Sequence, residues 1–567
     1  MMMVNRFVAS VLDVDEKPSL IQAQALLARG AHAGAAEICQ AVLHDSPNNV
    51  GALHLLGVAL GTAGRHEAAL PWFERAIAAG DAAPALLHDY GMTLRALGRM
   101  GEAVFAFRLA AEGNADDADA WFALGTTRLA LDQYGEAATA LQTAFELARE
   151  RADICRNLSL ALIGLGLAQQ RRCAFDVARA TLAAAVQKAP KNARAHAYLG
   201  NVLRDLGRFA EAHAEFARAR LLAPDDAEVI ANEGLVWQHE GNLDEAIVCY
   251  SRAIELQPNS EPLRSNLAQV LLLAGRFEEG WSAFEYRFTD PATAAQVASL
   301  PGARWRGEKI AGKALLLRCE QGLGDAIQFA RYVPVLAGMG ARVSLVGPAR
   351  LARLMEGLCG LSAYLAEDDA MPHADFHAPL ISVAHLLRSS TIPAQIPYLS
   401  AEPDLIARWG ARLGQDARLR IGIAWQGNST YGMDYLRSIP PLLMAEMIVE
   451  LNARFISLQH GAGMHAPIAA GAEDLGADLD QEHAFVDTAA VMASLDLVIT
   501  SDTAIAHLAG ALGRPTWVLL PYAPDWRWRL GRADCDWYPS LRLFRQPRPG
   551  DWHGVMAAVR TALGGDA

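Results

Sequence analysis

The stretch KALLLRCEQGLGDAIQFARYVP, residues 313–334, marks the place where a strand gives way to a helix in the second half of the chain. The apolar run ALLLRC has the length of a buried strand, and two glycines and Asp325 follow it before a helical pattern begins. Ligands of open α/β sheets bind beyond the carboxyl ends of the strands. We therefore expect Gly322, Gly324 and Asp325 to face a ligand-binding cleft.

Asp325 has two interpretations that the residues alone leave open. An aspartate at a helix start often caps the first turn by accepting backbone N–H groups. A positioned carboxylate can instead act as a general base that deprotonates an attacking hydroxyl. A dinucleotide cradle is disfavoured, because Ile327 occupies the third position of the G-x-G-x-x-G fingerprint and no acidic residue ends the next strand.

Five further apolar runs of strand length follow, separated by helical stretches and polar turns. They are RVSLVG (342–347), RIGIAW (420–425), RFISLQ (454–459), LDLVIT (495–500) and PTWVLL (515–520). Short buried runs that alternate with helices predict parallel, doubly wound sheets. The proline-containing stretch at residues 389–404 indicates a linker, so we expect an N-terminal lobe over residues 300–400 and a C-terminal lobe over residues 415–567.

The first half of the chain repeats with a period of 34 residues. Small residues recur at this spacing, first as Gly57, Gly91 and Gly125 and then as Gly166 and Gly200. The pattern resembles the tetratricopeptide repeat, in which two antiparallel helices cross closely at small residues. It predicts an α solenoid over residues 17–288. The step of 41 residues from Gly125 to Gly166 predicts an insertion of seven residues, and we expect a local irregularity near residues 145–160.

Composition narrows the function classes. The formal net charge of −13 argues against a nucleic-acid binder, which would carry a basic surface. The N-terminus lacks the pattern of a secretory signal, and no apolar run reaches the ~20 residues of a membrane helix, so we do not expect an integral membrane protein. The seven cysteines are scattered and include no CxxC pair, which argues against a structural zinc site and against a disulfide framework. This usage predicts a reducing, cytoplasmic location.

A second candidate site lies in TSDTAIAHLAGALGRPTWVLL, residues 500–520, which follows the order strand, turn, helix, strand. Asp502 or Thr503 is expected to cap the helix, whose free N–H groups then form a phosphate site. His507 lies four residues after Thr503 on the same helical face, although packing under the sheet is the alternative. Arg437, in a polar loop upstream, offers a charge for phosphate, with a plain surface role as the alternative.

Three motifs in order resemble glycosyltransferase family nine, the heptosyltransferase-like enzymes. They are GLGD after the first strand, GIAWQGN…D…RSI in the middle and SDTAIAHLAGALGRPTWVLL near the end, and the resemblance covers residues ~300–560. It implies an α solenoid followed by a GT-B-like pair of Rossmann-type α/β lobes. It also implies a nucleotide-sugar co-substrate, no cofactor, no metal and an inverting reaction.

The same resemblance implies roles for individual residues. Asp325 maps onto the proposed catalytic base of the family. Ala504 stands where the family often has glycine, which bears on how closely the donor approaches the backbone there. The positions implied in donor binding by the C-terminal lobe and the first turn are Gly322, Gly324, Gln426, Asn428, Arg437, Asp502, Thr503, Ala504 and His507.

The fusion of repeats to a transferase suggests a protein acceptor. It resembles the repeat-bearing bacterial transferases that modify flagellin on Ser or Thr, some of which use nonulosonic acids such as pseudaminic acid. Asn232 and Asn266 occupy equivalent repeat positions and resemble the asparagine ladder that holds acceptor peptides in O-linked N-acetylglucosamine transferases; solvated polar residues are the alternative. A lipopolysaccharide or polysaccharide transferase and a non-catalytic repeat adaptor are the other functions considered.

The tail YAPDWRWRLGRADCDWYPSLRLF, residues 522–544, is rich in Trp and Arg. We expect it to form a helix that packs back on the lobes, as tails in this architecture often do. Stacking of its aromatic rings on the base or sugar of a donor is the alternative.

Overall fold

The computed structural model describes residues 17–80, 82–388, 390–427, 434–459 and 465–565. The chain divides into two compact units, residues 1–224 and 225–567. The first unit contains helices in antiparallel pairs. They are α1 (Lys17–Ala28), α2 (His32–Asp45), α3 (Val50–Thr62), α4 (His66–Ala78), α5 (Pro84–Ala96), α6 (Met100–Gly113), α7 (Ala118–Ala130), α8 (Tyr134–Leu147), α9 (Ala152–Arg171), α10 (Phe175–Lys188), α11 (Ala193–Asp205) and α12 (Phe209–Leu222).

The periodic glycines stand where two helices of a pair cross. A Cβ atom added to Gly57 would lie 2.8 Å from the ring of Phe73 in the next helix, and one added to Gly200 would lie 2.6 Å from Phe216. Real Cβ atoms do not approach neighbours so closely, so a larger residue would force the helices apart. The glycines that recur with the repeat period therefore mark the point of closest approach in each helix pair.

The seven inserted residues lengthen one helix. Helix α9 has 20 residues, whereas α7 and α11 have 13 each. Ile154 and Leu158, near the start of α9, are buried, so the added segment packs within the unit. The expected irregularity near residues 145–160 is thus an extension of a regular helix.

The second unit begins with four more repeat helices, followed by a 3-10 turn over Glu285–Thr289 and a short helix. These helices are α13 (Ala227–Glu240), α14 (Leu243–Leu256), α15 (Glu261–Leu273), α16 (Phe277–Phe284) and α17 (Pro291–Ala298). Trp281 and Phe284 of α16 belong to the same apolar core as the strands and helices that follow. The last repeat helices and the first sheet therefore share one core.

The first lobe is a parallel five-stranded sheet with short helices. Its strands are β1 (Ala303–Arg304), β2 (Ala314–Arg318), β3 (Arg342–Gly347), β4 (Leu361–Ala366) and β5 (Phe376–Pro379). Its helices are α18 (Leu323–Phe329), α19 (Tyr332–Gly338), α20 (Ala352–Met355) and α21 (Ser382–Leu386). The strand order is β1-β5-β2-β3-β4, and β2 pairs with β3 in the register Leu315 to Val343.

The second lobe is another parallel five-stranded sheet, in the order β10-β9-β8-β6-β7. In chain order its elements are α22 (Pro403–Leu413), β6 (Arg420–Ala424), α23 (Asp434–Arg437), α24 (Pro441–Glu450), β7 (Arg454–Ser457), α25 (His465–Ala469), α26 (Val486–Ala493), β8 (Leu497–Ser501), α27 (Ala504–Ala511), β9 (Thr516–Leu520), β10 (Leu541–Arg545) and α28 (Trp552–Gly565). Strand β8 is buried along its whole length, as expected of a central parallel strand.

The predicted fold class is confirmed: a helical repeat solenoid precedes two parallel sheets, consistent with a GT-B-like α/β region. All six apolar runs of the sequence form strands. Between the sheets, the predicted linker packs against the first lobe, because the Tyr398 hydroxyl donates to the carbonyl oxygen of Ile327 at 3.0 Å. The boundaries expected at 288, 300, 400 and 415 remain predictions.

Candidate functional site

Two helix starts, one from each lobe, touch in the second unit. A Cβ atom added to Gly324 in α18 would lie 3.3 Å from the Cα of Ala504 and 3.2 Å from the Cδ2 of His507 in α27. A side chain at position 324 would require these neighbours to shift by a few tenths of an ångström. Gly324, Ala504 and His507, predicted as donor-binding residues from separate motifs, therefore lie together.

Asp325 occupies the first turn of α18 and has two partners. One carboxylate oxygen accepts the backbone N–H of Gly322 at 2.9 Å, which caps the helix from inside its first turn. The other oxygen accepts a hydrogen bond from the guanidinium of Arg527 in the second lobe. The Asp325 side chain is 18% exposed, so a ligand can reach it. Asp325 therefore caps α18 and also keeps part of its side chain accessible.

Arg527 joins the two lobes. Its Nη1 donates to Asp525 at 2.8 Å, and its Nε donates to the side-chain oxygen of Gln328 in α18 at 2.7 Å. The guanidinium also lies 4.1 Å from the centre of the Trp526 ring. Gln328 is wholly buried, and its amide nitrogen has no hydrogen-bond partner among the described residues. One cation and one buried amide N–H without a described hydrogen-bond partner therefore lie near Asp325.

Arg527, Asp525 and Gln328 were not predicted as site residues. A signal was present, because Asp525 and Arg527 follow β9 at the carboxyl edge of the second sheet. The tail packs on the first lobe, where the buried Trp537 lies edge-on against Phe329 of α18. The expected helix is wrong, because residues 522–544 form a 3-10 turn over Trp526–Trp528, loops and the start of β10.

Asp502 follows β8 and is almost fully buried. Burial and the nearby Asp525 raise the pKa of its carboxyl, the charges of Arg527 and Arg437 lower it, and the resulting pKa is about 6. The helix cap belongs to the next residue: Thr503 occupies the N-cap position in extended backbone. Its hydroxyl makes no capping bond and instead lies 3.2 Å from that of Thr500. The expected side-chain cap of this helix is therefore absent from its described N-terminus.

His507 is packed under the site. Its ring stacks on Trp528 with centroids 5.5 Å apart, and its Nδ1 lies 3.1 Å from the hydroxyl of Tyr538. Burial holds the pKa of His507 well below its ordinary value, and the charges of Arg527, Arg331 and Arg437 add to this. The ring is therefore neutral at neutral pH and supplies shape and hydrogen bonding.

Arg437 ends α23, and its Nε donates to the buried carboxylate of Asp434 at 2.9 Å. The Arg437 side chain is 26% exposed, and its charge acts on both Asp502 and His507. Next to it, the backbone N–H of Gln426 donates to the side-chain oxygen of Gln459 at 3.0 Å. Asn428 lies outside the described residues.

Asn232 and Asn266 lie on α13 and α15 at equivalent positions, and both are half-buried. Their part in holding an acceptor remains a prediction. Within the described ranges, no group of three or more His, Cys, Asp or Glu side chains is arranged to hold a metal ion. None of the helices that the structure describes has the length and apolar character needed to cross a membrane.

Comparison with protein families identifies two kinds of sequence in the chain. Residues 458–529 match the profile of glycosyltransferase family 9 (heptosyltransferase). Tetratricopeptide repeat profiles match residues 22–85, 118–151, 174–231 and 227–260. The chain thus combines tetratricopeptide repeats with a family 9 domain, and the family 9 match includes Asp502, Thr503, His507 and Arg527.

Among curated proteins, Protein FlbA of Caulobacter vibrioides is 31% identical over 324 residues, which are 52% of this chain and 54% of that protein. The chain thus spans about half the length of the curated relative it matches. Solved structures that match include YrrB, a repeat protein with an unusual peptide-binding site, at 22% identity and a TM-score of 0.28, covering 34% of this chain and 94% of that one. Another is a thermophilic repeat protein of Thermus thermophilus, at 27% identity and a TM-score of 0.23, covering 34% and 100%.

Proposed function

We propose that the protein is a glycosyltransferase that moves a sugar from a nucleotide-sugar donor to a Ser or Thr hydroxyl of a protein acceptor. The proposal rests on the contact between Asp325 and the segment that matches family 9. The base implied by the first motif is paired, 202 positions along the chain, with Arg527 of the matched segment. A carboxylate and a cation at one cleft are what proton removal and phosphate departure require.

The donor phosphates bind at the start of α27. The backbone N–H groups of Thr503 and Ala504 begin this helix, and no side chain caps them in the described structure. The charges of Arg437 and Arg527 lie near the same place, because both act on Asp502. Charge-assisted hydrogen bonds to phosphate are among the strong ones.

Donor binding also releases the base. Arg527 is shared between Asp325 and Asp525 when no ligand competes. A phosphate that takes hydrogen bonds from Arg527 weakens its hold on Asp325. Asp325 then accepts the proton of the acceptor hydroxyl, whose oxygen bonds to the anomeric carbon as the sugar–phosphate bond breaks and the nucleotide leaves. This single displacement inverts the anomeric configuration and uses no metal and no cofactor.

The repeats recruit the acceptor, and flagellin is the acceptor we propose, with a nonulosonic acid such as pseudaminic acid as the candidate sugar. Stacked repeats present an extended surface suited to protein partners. Asn232 and Asn266 lie on successive repeats of the second unit and are the candidate contacts to an acceptor backbone. The location that we propose for this reaction is the cytoplasm.

Intact-mass analysis tests the acceptor. Flagellin from a strain lacking this gene is compared with flagellin from the parent and from a strain that carries the Asp325→Asn chain. We expect the parent flagellin to be heavier by whole multiples of one sugar mass and both other samples to lack that addition. Equal masses in all three strains contradict flagellin as the acceptor. A mass that returns with the Asp325→Asn chain contradicts the catalytic role instead.

A further inference from the structure

A buried ion pair ties the end of the repeats to the loop before Asp325. Arg287, in the 3-10 turn after α16, donates from Nε and Nη2 to the two carboxylate oxygens of Glu320 at 3.0 and 3.1 Å. The side chains of Arg287 and Glu320 are only 9% and 11% exposed. Two parallel bonds of this kind fix the direction as well as the distance of the partner.

The other donors of Arg287 are also used. Nη2 donates to the hydroxyl of Ser382 at 2.6 Å, and Nη1 donates to Glu285 at 2.8 Å and to the carbonyl of Phe284 at 3.0 Å. A guanidinium has five N–H groups, so each of them has an acceptor here. The Arg287 side chain is therefore held in one orientation before it holds Glu320.

Glu320 stands at the start of the loop that leads to the base. Gln321, the next residue, has a φ of 61°, in the left-handed region that is unfavourable for a non-glycine residue. Gly322 then begins α18 and donates its N–H to Asp325. A loop in an unfavourable conformation persists only where its surroundings hold it. The anchor on its first residue is Arg287.

The last repeat also holds the far end of the same helix. Phe329, the final residue of α18, packs edge-on against Trp281 of α16 at 5.7 Å. Arg287 and Trp281 lie six residues apart, on either side of the end of α16. The last repeat and the turn that follows it thus contact both the loop that precedes α18 and the far end of that helix.

We propose that Arg287 is a positioning residue: through Glu320 it fixes the loop of residues 319–325 and so sets the place of Asp325 in the cleft. This inference rests on the proposed glycosyltransferase function for its kinetic consequence. It makes the last repeat part of the reaction centre as well as part of the solenoid. Arg287 itself touches neither substrate.

The test uses the full chain with the double substitution Arg287→Met and Glu320→Met. Replacing both members of the buried pair by apolar residues avoids a lone charge at either position, and Glu285 keeps the Ser382 hydroxyl at 2.7 Å and the Arg304 guanidinium at 3.6 Å, so we expect the fold to be retained. The matched control is Arg454→Met with Glu473→Met, a two-bond pair in the second lobe whose Nη2 contact is 2.7 Å. Arg287→Lys, which keeps the charge but cannot form the parallel bonds, is the conservative third variant.

Two measurements decide the result. Hydrogen exchange at the amides of residues 319–326 should quicken at least tenfold in the double variant and less in Arg287→Lys, with no change in the control. The kcat should fall at least tenfold while the donor KM changes less than twofold, because the phosphate contacts lie on the other lobe. Unchanged exchange, or faster exchange with parental kcat, overturns the inference. If the parent turns over no nucleotide-sugar, the proposed function fails, and the exchange measurement still decides whether Arg287 holds the loop.

Discussion

The turns after β2 and after β8 share the order strand, polar turn, helix, yet they place their aspartates differently. Asp325 lies inside the first turn of its helix, partly exposed, with an arginine and a backbone N–H as partners. Asp502 lies before its helix begins and is buried, with a raised pKa. In these two turns, the carboxylate inside the first helical turn is partly exposed, and the carboxylate before the helix start is buried.

The two aspartates are linked through one cation. Arg527 pairs with Asp325 directly, and its charge also lowers the pKa of Asp502. Burial and the neighbouring Asp525 act in the opposite direction on Asp502. Substitution of Asp325 should therefore affect turnover. Substitution of Arg527 should affect stability, and substitution of Asp502 should affect the pH dependence of stability.

The largest effect is expected for Asp325→Asn. Loss of a general base typically lowers the rate by ~100- to 10,000-fold, and we expect kcat to fall within that range. Nucleotide affinity, measured by calorimetric titration, should change little. The matched control is Asp525→Asn, which removes the other carboxylate on Arg527 and should lower kcat less than tenfold. Near-parental turnover with a melting temperature several degrees lower would mean that Asp325 is only a cap.

The next effect is expected for Arg527→Met, which leaves Asp325 and Asp525 without their shared cation. Removing one partner of a largely buried pair is costly, and we expect the free energy of unfolding to fall by about 3 kcal/mol. Urea denaturation measures it. Arg353→Met provides the comparison, because its pair with Glu402 is about two-fifths exposed and should contribute less than about 1 kcal/mol. Equal losses in both variants would contradict a buried link between the lobes.

The smallest effect is expected for Asp502→Asn and appears as a pH dependence. With a pKa near 6 the folded protein keeps a proton on Asp502 that the unfolded chain releases near pH 4, so ionisation costs stability between those values. Asparagine does not ionise. The unfolding free energy of the variant relative to the parent should therefore rise from pH 4 to pH 7, on the order of 2 kcal/mol.

Asp375→Asn is the control of opposite sign. Its pKa is held below the ordinary value by the backbone N–H of Ala314 and by Lys313, so its ionised form stabilises the fold above about pH 4. The unfolding free energy of this variant relative to the parent should therefore fall as the pH rises through that value. His507 is present in all three proteins, and its own titration cancels in the differences. A flat difference for Asp502→Asn would show that its carboxyl titrates normally.

Much of the fold follows from local patterns in the sequence. The glycine period marks helix crossings because each glycine meets a bulky side chain of the next helix, as Gly57 meets Phe73. The central strands were predicted because they are buried along their length. Four strands were missed for physical reasons. β1 has two residues, β4 is largely half-exposed, β5 ends in proline, and β10 alternates apolar residues with arginine.

The candidate site was predictable only in part. Asp325, Asp502 and His507 lie in the strand–turn–helix segments that follow β2 and β8, and local reasoning identifies such segments as candidate sites. Arg527 pairs with a residue 202 positions away, and no local pattern reports such a pair. The exposure of each carboxylate likewise depends on how the two sheets pack. Patterns along the chain predict where polar groups emerge, whereas tertiary packing decides which of them meet.

The end of the solenoid illustrates the same limit. Repeat spacing places a boundary near residue 288, but Trp281 and Phe284 belong to the core of the lobes. Deleting residues 1–288 would therefore remove part of that core. A deletion that ends at residue 224 follows the division between the compact units and leaves both that core and the candidate acceptor contacts Asn232 and Asn266 in place.

The long helix α9 shows how a repeat array tolerates growth. Seven residues turn a helix through about 700°, which differs from two full turns by only about 20°. The extension therefore keeps the apolar stripe of α9 facing its neighbours while the helix lengthens by about 10 Å. An insertion of five residues would rotate that stripe by about 140° and expose it. The length of a repeat helix can thus change in steps of seven residues without loss of packing. Such changes alter the shape of the surface while the fold is kept.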